Sequence, residues 1–370
     1  MSTTEPATAQ RTRAALDAVP SYKQGRTLAE GADMVKLSSN ELPFAPLPSV
    51  LAAIEAGLNG LNRYPLTAAP ALTEALSRRF NVGAERIVYG AGSVEIVSQF
   101  IRATCAEGDE VMYAWRSFEA YPMLVQTAGA TPLQVPLTAD HRHDLPAMLA
   151  AITDRTRLII VCNPNNPTGT TVSAEELEEF LSQVPASVSV LLDEAYHQFD
   201  DGVEPIVGAE LLERFPNLSI AHTFSKAYGL AGLRVGYGIA PAGLASALRK
   251  VAVPFGVTDL AQRAAVASLE AGAELEERVD AVLAERHRVV STLEAAGWTL
   301  PASRANFLWL PLGADTEAAV EVLERHGILV RPFPGEGLRV TIAEIEGNDR
   351  LLAGAAELAE RGVTGGLVSH

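Results

Sequence analysis

Cysteine is almost missing from this chain of 370 residues, which has only Cys105 and Cys162. Two cysteines cannot build a disulfide framework or a thiolate metal centre, and each reads as a small buried apolar residue. Basic charge is scarce as well. Lys and Arg total 29 against 45 Asp and Glu, a formal charge of -16. Such a surface repels phosphate backbones, so nucleic acid is not an expected partner. Apolar residues nowhere run for the ~18 positions of a bilayer-spanning helix, and no membrane association is expected. The stretch from Met1 to Arg13 is polar and contains Glu5. It has neither the apolar core of a secretory signal nor the acid-free character of a transit peptide, so the expected location is the cytoplasm. Internal repeats, low-complexity tracts and linkers are missing too.

What is present is a globular composition, 48% hydrophobic and 20% charged, on a chain long enough for two domains. From about Glu85 to Ala240 short apolar runs alternate with helix-like stretches. The runs are Arg86–Tyr89, Glu110–Tyr113, Thr131–Val135, Leu158–Cys162, Val188–Leu192, Leu218–Ala221 and Leu233–Ile239. Continuous apolar runs between helices predict strands buried on both faces of a mostly parallel sheet, an α/β domain with its site at the carboxyl ends of the strands. Ser173, followed by Ala-Glu-Glu, predicts a capped helix start. After about Pro241 the pattern changes. Glu274–Ala295 reads as one long amphipathic helix with Val279, Val282, Leu283, Val289, Val290 and Leu293 on its apolar face. Asn306–Leu310 and Leu338–Ile342 read as strands of a smaller α+β unit. The expected division is an N-terminal segment (1–45) packing with the small domain, a large domain (46–245) and a small C-terminal domain (246–370).

Three polar groups fall at the ends of three of these runs. Asn163-Pro-Asn-Asn-Pro-Thr-Gly169 follows the first, a stiff loop fixed by two prolines and a glycine. Asp193-Glu-Ala-Tyr196 follows the second, and an Asp at the tip of a buried strand is costly unless it meets a cation. Thr223-Phe-Ser-Lys-Ala-Tyr-Gly-Leu-Ala-Gly-Leu-Arg234 follows the third. Taken singly these could be a turn, a structural salt bridge and a solvated lysine. Together they match the needs of pyridoxal phosphate: an amine to form an imine, a carboxylate to keep the pyridine nitrogen protonated, and donors beside the ring oxygen. Gly90-Ala-Gly-Ser-Val94, between a strand and a helix, would add backbone N–H groups for the phosphate. A dinucleotide fingerprint beginning at Gly90 would need glycine where Glu95 stands, and no Gly-Lys-Ser/Thr follows to make a P-loop. His141 and His143 form an H-x-H pair in a polar loop without carboxylate or Cys partners, and read as loop rather than metal ligands.

These strings, in this order, resemble fold-type I aminotransferases of the histidinol-phosphate and aromatic branch. The likeness runs from Leu37-Ser-Ser-Asn-Glu41 to Leu338-Arg-Val-Thr341. It implies that Lys226 carries pyridoxal 5'-phosphate as a Schiff base and moves the proton at the substrate Cα. It further implies that Asp193 pairs with the pyridinium, that Tyr196 and Asn166 contact the ring oxygen, and that Phe118 stacks on the ring. Many relatives have Tyr at that last position. Gly92, Ser93, Thr223, Ser225 and Arg234 would bind the phosphate. Tyr64, in Asn62-Arg-Tyr-Pro65, would reach the phosphate of a neighbouring subunit, implying a homodimer with shared sites. Relatives commonly have an acidic residue where Leu66 stands. Arg339 would grip the substrate carboxylate with its planar fork, Arg331 would be a second anion contact, and Tyr22 and Asn40 would lie at the substrate.

The implied reaction is ping-pong transfer between an amino acid and a 2-oxo acid such as 2-oxoglutarate. Trp115–Pro122, Val253–Val257 and Ala305–Leu312 look most like actinobacterial aromatic, or phenylalanine, aminotransferases. The alternative substrate is histidinol phosphate, and the two arginines do not decide between them. A non-catalytic cofactor-binding sensor is the remaining alternative; such proteins usually carry a DNA-binding segment, and only ~40 residues precede the resemblance.

Overall fold

The computed structural model describes residues 13, 16–17, 19–21 and 33–366. Tyr22 lies outside the described residues. The chain first forms β1 (Val35–Lys36), α1 (Pro48–Gly57), α2 (Pro70–Phe80), β2 (Ile87–Gly90) and α3 (Ser93–Thr104). Strand and helix then alternate through β3 (Glu110–Trp115), α4 (Ala120–Ala128), β4 (Thr131–Pro136), α5 (Leu145–Ala150), β5 (Thr156–Cys162) and α6 (Ala174–Gln183). Next come β6 (Ser189–Asp193), α7 (Gly208–Leu211), β7 (Leu218–Thr223), β8 (Gly236–Ile239), α8 (Ala242–Val251) and α9 (Asp259–Glu270). The last third holds α10 (Gly272–Ala295), β9 (Phe307–Leu310), α11 (Thr316–Arg325), β10 (Ile328–Leu329), β11 (Arg331–Phe333), β12 (Gly337–Thr341) and α12 (Ile345–Glu360).

Seven strands form one sheet in the order β2-β8-β7-β6-β5-β3-β4. The β3–β4, β3–β5, β5–β6 and β6–β7 pairs are parallel, and β8 runs antiparallel to both neighbours. This is the expected α/β architecture. Alternate residues of the central strands face opposite sides. Ile159, Val161, Val190 and Leu192 join the cluster under α1, α2, α5, α6 and α9, while Leu158, Ile160 and Leu191 join the cluster under α3, α4 and α8. Burial on both faces is what the unbroken apolar runs encode. The expected cap at Ser173 opens α6 with a reciprocal capping box: Ser173 Oγ accepts from the Glu176 N–H, and the Glu176 carboxylate accepts from the Ser173 N–H.

Two expectations need correction. The run from Leu233 to Ile239 is a strand only from Gly236, because Ala231–Leu233 closes a single helical turn and Arg234 has φ of 55°. The large unit also extends past residue 245, since Val257, Ala261, Ala264 and Ala265 sit in the cluster beneath the seven-stranded sheet.

The smaller unit is the antiparallel sheet β11-β12-β9 with α10, α11 and α12 packed around a separate apolar cluster. Val35–Lys36 pairs in parallel with Ile328–Leu329, which ties the N-terminal segment to this unit. In α10, Val282, Val289 and Leu293 face the core as the periodicity predicts, but so does Arg286, one of the largest fully buried side chains. Its guanidinium donates to the carbonyls of Phe199 (2.9 Å) and Ala305 (3.0 Å) and pairs with Asp201 at 2.5 Å. Burial lowers the Arg286 pKa, and the Asp201 carboxylate opposes that shift. Ala195, Tyr196, Phe199 and Ala227 also belong to the small unit's cluster. The ends of β6 and β7 therefore lie between the two cores.

Candidate active site

Parallel register brings the three sequence groups together. Cys162 stands beside Asp193, and Asp193 beside Ala221, so the loops after β5, β6 and β7 leave the sheet side by side. They open into a cavity of about 170 Å³. Asn166, Asp193, Tyr196 and Lys226 line it, together with Phe118, Cys162, Ser93, Thr223, Ser225 and Arg234.

Asp193 is 4% exposed. Its Oδ2 accepts from the Tyr121 hydroxyl at 2.7 Å, whereas its Oδ1 is buried without a hydrogen-bond partner. Burial pushes its carboxyl up to about 6, opposed chiefly by the Tyr121 hydrogen bond. Across the cavity Lys226 Nζ donates to the Ser39 carbonyl at 3.3 Å and stands 5.5 Å from the centre of the Tyr196 ring. Burial, then the nearby Arg339 charge, pull this amine down to about 7. A lysine so placed can be a neutral nucleophile and base near neutrality. Burial also raises the Cys162 thiol to about 12, so it forms part of the wall as a neutral group.

The lining around the start of α3 suits an anion. Gly92 precedes α3 with φ of 83°, a conformation that favours glycine, and Ser93 begins the helix, whose free N–H groups and dipole attract negative charge. Arg234 Nη1 donates to Ser225 Oγ (3.0 Å) and its Nη2 to the Ala91 carbonyl (3.0 Å), which holds the guanidinium beside the helix start. A Cβ on Gly236 would come within 2.6 Å of Gly92 C and Ser93 N, so only glycine lets β8 approach this turn.

The small unit and the N-terminal segment bond to residues of the cavity wall. Arg339 is 7% exposed; it donates through Nη1 to Asn166 Oδ1 and through Nη2 to the Ser38 carbonyl, both at 2.7 Å. Asn40 donates through Nδ2 to the Tyr196 hydroxyl at 3.0 Å, and its N–H donates to Thr341 Oγ1 at 2.9 Å. Arg331 is held in a two-pronged ion pair by Glu119. Tyr64 does not line the cavity; it is 82% exposed and stacks on Phe255 with ring centres 4.7 Å apart. His143 is buried, with Nε2 3.2 Å from Asn165 Oδ1, so it braces the 163–169 loop. Among the described residues, no group of three or more His, Cys, Asp and Glu is placed to hold a metal ion.

Sequence reasoning missed three supports. Tyr121 lies on α4 and meets Asp193 only in the folded chain. Asn165 accepts from Ser117 Oγ and donates to Thr168 Oγ1, both at 2.8 Å, and so sets the loop that carries Asn166. Behind Asp193, Glu194 Oε2 meets His222 Nε2 at 2.7 Å, and His222 Nδ1 meets the Tyr237 hydroxyl at 3.0 Å. Burial raises the Glu194 carboxyl and lowers His222, so each shift favours the neutral form of its group. The only local signal was a Glu and a His beside strand ends, too common to single out.

An amine and a buried carboxylate line one cavity with the Ser93, Thr223, Ser225 and Arg234 anion cradle, and Arg339 is bonded to Asn166 of its wall, a set of groups suited to amino-group chemistry. Residues 32–353 match the family model of aminotransferase class I and II, and the chain belongs to that family. It is 53% identical over 346 residues to an aromatic amino acid aminotransferase of Streptomyces coelicolor, covering 93% of this chain and 96% of the relative. It is 51% identical over 351 residues to one of Rhodococcus jostii, covering 95% and 97%. Among solved structures it is similar to a histidinol-phosphate aminotransferase from Sinorhizobium meliloti in complex with pyridoxal-5'-phosphate. That pair has a TM-score of 0.81 and 30% identity, over 89% of this chain and 92% of the other. A Thermus thermophilus aspartate aminotransferase with maleate is similar at a TM-score of 0.80 and 25% identity, over 90% and 92% of the two chains.

Proposed function

We propose that the protein transfers an amino group between an aromatic L-amino acid and a 2-oxo acid such as 2-oxoglutarate, with pyridoxal 5'-phosphate as its cofactor. The observation that carries the cofactor reading is the buried, unpartnered Asp193 Oδ1 facing the cavity that Lys226 lines. A protonated ring nitrogen is the donor such an oxygen lacks. When bound, the cofactor supplies an aldehyde that condenses with amines and a ring that draws electron density from the substrate Cα.

The chain's own groups divide the remaining work. Lys226 Nζ holds the cofactor, and its lowered pKa lets it take a proton from the substrate Cα and return it on the other side of the reaction. Asp193, fixed by Tyr121, balances the ring nitrogen's charge. Tyr196 and Asn166 would contact the ring oxygen, Phe118 would stack on the ring, and Gly92, Ser93, Thr223, Ser225 and Arg234 would hold the phosphate. Arg339 takes the substrate carboxylate, exchanging its bond to Asn166 for a charge-assisted pair. Asn40 orients the Tyr196 hydroxyl.

We propose the aromatic substrate because relatives about half identical over almost their full length carry that name. The protein would work as a homodimer in which the exposed Tyr64 reaches the partner's phosphate. No helix among the described residues is long and apolar enough to cross a membrane, and we place the protein in the cytoplasm. The deciding experiment gives the holoenzyme phenylalanine, tyrosine, tryptophan, histidine, histidinol phosphate and glutamate separately and follows the cofactor absorbance. Fast conversion by the aromatic amino acids is expected. Fast conversion by histidinol phosphate with feeble aromatic response would reassign the substrate.

A further inference from the structure

One carboxylate ties down the turn that leads into α3. Glu95 Oε2 accepts from the Ala91 N–H at 2.5 Å. Its Oε1 accepts from the Val253 N–H at 3.2 Å and from Gln99 Nε2 at 3.3 Å. Gln99 is buried, and the same amide nitrogen donates to the Tyr89 carbonyl at 2.9 Å, which anchors the group to β2.

Ala91 is also gripped on its other side. Its carbonyl accepts from Arg234 Nη2, while Arg234 Nη1 donates to Ser225 Oγ, both at 3.0 Å. A carboxylate on the N–H and a guanidinium on the carbonyl thus hold this one residue between opposite charges. The Gly92 N–H is taken by the Gly90 carbonyl at 2.8 Å. The next two N–H groups, of Ser93 and Val94, open the helix and have no intrahelical acceptor. Both residues line the cavity together with Ser225 and Arg234. Neither Glu95 nor Ala91 lines it; Glu95 lines a separate cavity with Tyr89, Gly90 and Val253.

We propose that Glu95 is a positioning residue of the phosphate cradle, which sets the Ala91 turn so that the Ser93 and Val94 N–H groups and Arg234 converge on one anion. This rests on the pyridoxal-phosphate reading above, and Glu95 itself touches neither cofactor nor substrate. A carboxylate suits the task because it accepts from three donors and offers none. Glutamine would turn an NH2 group toward at least one of those donors, and alanine would leave all three unanswered. The turn and Arg234 then lose their common orientation, on which charge-assisted bonds to a phosphate depend.

The test compares two aldehydes that can both condense with Lys226, one with the phosphate and one without. Full-length wild type, Glu95→Gln and Glu95→Ala, each freed of cofactor and checked by near-ultraviolet dichroism, are titrated with pyridoxal 5'-phosphate and with pyridoxal while absorbance is followed. The dissociation constant of pyridoxal 5'-phosphate should rise by about tenfold or more in both variants, and that of pyridoxal should stay within about twofold. Glu95→Gln is nearly isosteric with the wild type and decides the matter if Glu95→Ala does not fold. Equal losses for the two aldehydes mean a general structural role and overturn the proposal. Unchanged or tighter binding of pyridoxal 5'-phosphate overturns it too, and tighter binding would show that the carboxylate chiefly repels the phosphate. Wild type that takes up no pyridoxal 5'-phosphate sinks the cofactor reading, whereas variants that bind it as well as a competent wild type sink the role of Glu95 alone.

Discussion

Lys226 and Asp193 hold opposite departures from their ordinary ionisation, and both arise first from burial. Lys226→Ala removes the amine proposed to shuttle the Cα proton. Steady-state transamination of phenylalanine should fall by at least about 10³-fold, with some cofactor still bound non-covalently; appreciable turnover would refute the assigned role. Asp193 makes a pH prediction. Its carboxyl rises from 3.8 to about 6 on folding. In that window the folded chain holds a proton that the unfolded chain has shed. The stabilisation is present below the lower value and is lost as pH rises through the upper one. Asp193→Asn stays neutral throughout. Between about pH 5 and about pH 7 the cofactor-free wild type should therefore lose on the order of 1 kcal/mol relative to the variant. Urea unfolding at the two pH values measures this, and parallel pH trends would contradict it. At this scale the sequence was readable in its fixed strings, since Asn166, Asp193, Lys226 and Arg234 come to line one cavity. Tyr121 and Asn165 were hidden because their value depends on where α4 and the 116–118 segment come to rest, and no local pattern records that. Arg331 was read as an anion contact, but its bond to Glu119 joins segments too far apart in sequence to suggest it.

Elements position these residues through close approach. The start of α3 sits against β8 because Gly236 has no side chain. Gly236→Ala should push that helix start away from Arg234 and Ser225. Cofactor affinity should drop by roughly tenfold or more while the fold survives, which equilibrium dialysis would show. Unchanged affinity would mean that the α3 terminus is not part of the phosphate cradle. The strands of the large sheet were legible because burial on both faces forces unbroken apolar runs. The Leu233–Ile239 run misled for the same reason. An apolar stretch reports burial, and Leu233 and Val235 are apolar whether the backbone turns or extends. Arg286 escaped notice for the converse reason. A charge on the apolar stripe of α10 looks like a break in the pattern until its carbonyl and Asp201 partners are in place.

At the scale of the whole molecule, the proposed sharing of sites between two subunits makes a prediction that no single-chain site can meet. Lys226→Ala and Tyr64→Ala proteins, each weakened alone, should recover activity when unfolded together and refolded. In the mixed dimer one site receives Lys226 from one subunit and Tyr64 from the other, both intact. Activity no greater than the sum of the two parents would count against the shared site. The change of pattern near Pro241 does not mark where the first apolar cluster ends, because α9 is amphipathic like its successors and only packing shows which core it serves.

The pairing of Val35–Lys36 with Ile328–Leu329 also bears on the order in which the protein can mature during synthesis. Asn40 and Thr341, which bond to each other beside the cavity, are 301 positions apart. At ~5–20 residues per second, the ribosome needs roughly 15–60 s to add the later partner. The large sheet has emerged well before then, yet the Ser38 and Asn40 contacts to Arg339 and Thr341 must wait. Nascent chains stalled before β10 leaves the exit tunnel should therefore resist protease across the large unit while showing no substrate-induced change in cofactor absorbance.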